Sequence, residues 1–109
     1  MNYDFKSDSA IFSYLILRLL PDSKKGKWTS FEEIMDSNQI YNHKIPKRDI
    51  IRILHKEVCS FIIWKEKTDL QNITEEGGEG WKYCIDPNDF YTLEERQQPT
   101  YSIRNLEKG

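Results

Sequence analysis

Arg48 and Arg52 stand four residues apart in the run KRDIIRILHKEV, so a helix places them one turn apart on a single face. An arginine offers two parallel N–H donors, the geometry that matches O6 and N7 of guanine, and these two are the candidate base readers. Lys44, Lys47 and Lys56 flank them and suit phosphate oxygens, where a point charge suffices. His55 falls on the same side and suits either partner. Formal charge is concentrated here: residues 43–65 carry +4, against −1 for residues 1–42 and −5 for residues 66–109. The plain alternative is a solvated helix face, the usual fate of such side chains.

Other chemistries find little support. No glycine-rich phosphate loop follows a strand, and no serine nucleophile elbow is present. Glu32 with Glu33, and Glu94 with Glu95, are adjacent and point in different directions on a helix, which disfavours paired-carboxylate catalysis. His43 and His55 are too far apart for a two-ligand helical metal motif. Cys59 and Cys84, 25 positions apart, indicate neither a zinc site nor a disulfide framework and read as reduced, half-buried strand residues. No catalytic residue, metal or cofactor is expected.

The elements that must position the basic run follow from periodicity. Asp8 and Ser9 can cap a helix with apolar Ile11, Phe12, Leu15, Ile16, Leu19 and Leu20, which Pro21 should stop. After the polar loop DSKKGK, Trp28 begins a short extended piece. Ser30 and Glu33 have capping-box spacing for a second helix, with Phe31, Ile34 and Met35 inward, fading near Ser37 or Asn38. Pro46 suits the first position of a third helix running to about Val58. Ile50, Ile51, Ile53, Leu54 and Val58 crowd one side of it, and Arg48, Arg52, His55 and Lys56 the other. Residues 60–67 and 81–85 are aromatic and β-branched, and the turn-rich stretch between them makes a hairpin. Its tip holds Asp69, Glu75, Glu76 and Glu79 without a Lys or Arg between Asp69 and Gly80, a poor phosphate clamp. Gly77, Gly78 and Gly80 predict a flexible acidic tip that keeps the hairpin soluble. The sharper alternative is a tip that binds a basic partner or covers the basic helix.

Helix, short strand, two helices and a hairpin is the order of the winged helix-turn-helix, an α+β fold whose third helix enters a major groove. Residues 1–88 would form that domain and 89–109 a C-terminal arm. Within this class the chain resembles the N-terminal domains of WYL-type bacterial transcription regulators, in WTSFEEI, KRDIIRILHKEV and GWKYCIDPNDF. Arg48, Asp49 and Ile50 stand where that family carries a basic residue, Asp and an apolar residue. Pro46 and Lys47 replace the family's Arg-Thr pair, and the connection into the third helix exceeds a tight turn of about 3–4 residues. The resemblance implies sequence-specific duplex DNA binding through the third helix, as a transcription regulator.

The 109 residues, 38% hydrophobic and 31% charged, allow a single modest core. A net charge of −2 excludes a uniformly basic nucleic-acid coat. No stretch reaches the roughly 20 apolar residues of a membrane span, and the N-terminus lacks signal-peptide regions, so a cytoplasmic protein is expected. Of Trp28, Phe31, Phe61, Trp64, Trp81 and Tyr83, most are expected in the core. An exposed remainder, with Phe90, Tyr91 and Tyr101 of the arm, would offer a surface to a second copy or a protein partner. The rival function is therefore a winged-helix protein–protein interaction module, which the acidic hairpin favours.

Overall fold

The computed structural model describes residues 7–96, which form an α+β domain. In chain order these are α1 (Asp8–Lys24), β1 (Thr29–Ser30), α2 (Phe31–Ile40), α3 (Lys47–Cys59), β2 (Ile63–Lys67), β3 (Trp81–Ile85), a 3-10 turn (Pro87–Asp89) and α4 (Phe90–Arg96). The strands form one antiparallel sheet in the order β1-β3-β2, with Thr29 opposite Tyr83 and Trp64 opposite Cys84. Ile11, Leu15, Ile16 and Leu19 of α1 pack with Phe31, Ile34, Ile50, Ile53 and Leu54 of the next two helices and with Ile63, Tyr83 and Ile85 of the sheet.

Helix ends differ from the sequence expectation, for local reasons. Ser7 is the N-cap of α1, its hydroxyl accepting from the Ala10 N–H at 3.3 Å. Pro21 lies inside that helix and does not stop it. The hydrogen bond it removes would have ended on Leu17, one turn back, and both residues are exposed, so the freed carbonyl belongs to a wet face. Termination falls to Gly26 (φ 72), with Gly26 N–H on Ser23 O and Lys27 N–H on Asp22 O. The same paired bonds end α2 at Asn42 (φ 55) and α3 at Phe61 (φ 62). Residues 60–62 are consumed by that last turn, so β2 begins at Ile63 rather than at Ser60. Cys59 consequently ends a helix and is exposed, and only Cys84 is a strand residue, buried; both are free thiols.

Two buried polar groups fix how the elements meet. The Ser23 hydroxyl accepts from the Ile85 N–H at 2.9 Å, tying the end of α1 to the end of β3. Asn38, 4% exposed, donates to Ile45 O at 3.0 Å and accepts from Ile45 N–H at 3.1 Å, which shapes the connection from α2 to α3. Pro46 is the N-cap of α3, one position ahead of its expected place.

The segment between β2 and β3 is an ordered lobe, not a flexible tip. Thr68 and Asp69 N–H both bond Gly80 O, the Trp81 indole donates to Thr74 O at 2.8 Å, and Gly78 N–H donates to the Tyr83 hydroxyl at 2.7 Å. Gly77, Gly78 and Gly80 are buried with positive φ. A Cβ on Gly78 would lie 2.9 Å from Ile51 Cδ1, so the lobe is seated against α3. Beyond the sheet, Leu93 of α4 is 2% exposed and joins the core, with α4 docked on α1. Pro99 and Tyr101 lie outside the described residues.

Of the aromatics, Phe31, Trp81 and Tyr83 are buried, Trp28 and Phe90 half-buried, and Trp64, Phe61 and Tyr91 exposed.

Candidate nucleic-acid interface

The α3 helix is built from Pro46, whose carbonyl accepts from Asp49 N–H at 3.0 Å and Ile50 N–H at 3.2 Å. Asp49 in its first turn and Lys56 in its last complement the helix dipole. Ile50, Ile53, Leu54 and Glu57 face the core. Arg48, Arg52, Lys56 and Cys59 lie on the opposite, exposed side. The expected face of Ile51 and Val58 is only half-buried, because α3 meets the rest of the domain along a narrower stripe centred on Ile50 and Glu57.

The structure brings Arg48, Arg52 and Lys56 onto one face, with His55 half-buried at its edge. Lys47 sits at the start of the helix, and Lys44 is exposed in the preceding turn at φ 58. The residues differ in how free they are. Arg52 donates from both terminal nitrogens to the Asp8 carboxylate, each at 3.0 Å, and lies 3.4 Å from Asp49. The same donors that would read a guanine are therefore engaged by the first turn of α1. The Arg52 guanidinium holds the Asp8 carboxyl below the usual carboxylate range, with a smaller pull from Lys56. Lys47 pairs with Glu79 of the hairpin lobe. Arg48 and Lys56 make no ion pair among the described residues.

Two features of α3 escaped the sequence expectation. His55 Nε2 lies 3.7 Å from Cys59 Sγ, while its Nδ1 is buried with no hydrogen-bond partner among the described residues. Their four-residue spacing was the available signal. Among the described residues no group of three or more His, Cys, Asp or Glu is arranged to hold a metal ion. The second feature is Glu57, 8% exposed on the inward face, where burial raises its carboxyl above the usual range despite neighbouring Lys56. Its place one and two turns beyond Ile53 and Ile50 marks it as inward-facing in the sequence.

No helix among the described residues is long and apolar enough to cross a membrane. No family model, curated protein or solved structure matches the chain.

Proposed function

We propose that this protein binds duplex DNA through the exposed face of α3, as a transcription regulator of the winged helix-turn-helix kind. The carrying observation is that Arg48, Arg52 and Lys56 share the side of α3 opposite Ile50, Ile53 and Leu54, so the positive charge points away from the core. The element order and the β1-β3-β2 sheet agree with the winged arrangement. Regulation of transcription rests on the resemblance in WTSFEEI, KRDIIRILHKEV and GWKYCIDPNDF. The hairpin lobe plays no phosphate-clamping part, because its acids would repel the backbone.

The test is binding to specific and random duplexes across a salt series, in which affinity falls as salt rises. Arg48→Ala loses discrimination of roughly tenfold, whereas Lys56→Ala weakens all sequences alike. Equal effects of both on all sequences would remove Arg48 as a base reader.

A second reading, a protein–protein interaction module, is favoured by the acidic lobe seated against α3 and by the pairing of Lys47 and Arg52 with the protein's own carboxylates. Undetectable duplex binding at low salt would give it precedence.

A further inference from the structure

We propose that the carboxylates of Asp8 and Glu79 occupy two phosphate subsites, at Arg52 and Lys47 on α3, and that phosphates of a bound duplex take their places. The inference rests on the DNA reading above and adds how that site is guarded in the free protein.

Both acids reach α3 from elsewhere in the chain, Asp8 from the first turn of α1 and Glu79 from the hairpin lobe. The contact at Arg52 is two-pronged, both distances being 3.0 Å. A carboxylate and a phosphate present the same pair of acceptor oxygens to a guanidinium fork, so an internal carboxylate reports where an external phosphate fits. Lysine recognises either anion as a point charge.

The surroundings make these contacts exchangeable rather than structural. All four side chains are about half exposed, at 50% for Arg52, 49% for Asp8, 51% for Lys47 and 59% for Glu79. Pairs this wet contribute little to stability and compete poorly with a polyanion. The Glu79 backbone is held between Gly78 and Gly80, with Gly78 pinned by the Tyr83 hydroxyl, so the lobe presents its carboxylate to Lys47. Arg48 and Lys56, without an ion pair among the described residues, supply the first encounter with the backbone. The two acids then lower affinity for any polyanion, and more so at low salt, where they are least screened.

The experiment compares the parent with Asp8→Asn, Glu79→Gln and the double variant, using Asp36→Asn, an exposed acid of α2 without an ion pair among the described residues, as the charge-matched control. Two readouts are taken: duplex affinity over a salt series, and the salt needed for elution from phosphocellulose, which offers phosphate without a duplex. Asp8→Asn and Glu79→Gln should each raise duplex affinity severalfold above Asp36→Asn, most at low salt, and delay elution. In an Arg52→Ala background, Asp8→Asn should give no such gain. If both variants match Asp36→Asn on both measures, the proposal is overturned, whether or not the parent binds duplex. Gains that persist without Arg52 overturn the subsite at that residue. Delayed elution without duplex binding by any variant supports the subsites and removes DNA as the source of phosphate.

Discussion

Three helices end on the same pair of backbone hydrogen bonds, and the residue in the left-handed position is Gly26, Asn42 and Phe61 in turn. Glycine and asparagine are the residues expected there, and both read as turn formers in the sequence. Phenylalanine is not: its Cβ crowds the carbonyl in that conformation, and 78% of Phe61 is exposed, so little packing offsets the strain. Phe61→Gly should stabilise the protein by about 1 kcal/mol in urea unfolding, the relief of left-handed strain exceeding glycine's added chain entropy. This turn was illegible in the sequence because an aromatic beside Ile62 and Ile63 has strand character. Glu57 makes a second prediction, with a defined sign. Burial raises its carboxyl in the folded state, so the folded chain holds that proton more tightly than the unfolded chain. The group costs nothing below the ordinary carboxylate range and destabilises as pH rises through its raised value. Glu57→Gln should unfold at a higher temperature than the parent at pH 7, and the difference should vanish as the pH falls to about 4. A constant difference would point to packing instead of charge.

At the scale of elements, the sequence located α1, α2, α3 and β3 well because each carries several apolar residues at one period. It failed where one residue outweighed the pattern. Pro21 reads as a stop, yet a freed carbonyl on a solvent face is tolerated, and α1 runs to Lys24. The hairpin segment failed differently: its glycines signal flexibility in one dimension, but in three they allow the backbone to close on Tyr83 and Ile51. Gly78→Ala and Gly26→Ala separate these two uses of glycine. Both positions have positive φ, but only Gly78 has a neighbour, Ile51 Cδ1 at 2.9 Å, while nothing lies within 4 Å of a Cβ at Gly26. We expect Gly26→Ala to cost about 1 kcal/mol and Gly78→Ala up to about 3 kcal/mol. The Gly78 variant should also increase hydrogen exchange at the lobe's amides. Equal losses at the two sites would mean that the lobe is not braced on α3.

Over the whole molecule, the acidic lobe lies against the basic helix, so the partition of charge along the chain becomes a contact in the fold. The basic face was legible because α3 has a regular period; the identity of its carboxylate partners was not, since Asp8 and Glu79 lie 44 and 32 positions from the residues they meet. The segment after β3 was equally opaque, having no clear period, yet Leu93 is buried in the same core as α1. Leu93→Ala should therefore destabilise the entire domain in one transition by about 2–4 kcal/mol, with helical and aromatic signals lost together; a separate early transition would make α4 an independent appendage. The two thiols share this division between outside and inside. Cys59 is exposed on the basic face, and Cys84 is 6% exposed in the sheet. Iodoacetamide should modify Cys59 first, and an excess of duplex should slow that reaction while leaving the slow alkylation of Cys84 unchanged. The native sequence thus contains both a footprinting probe of the surface and its internal reference.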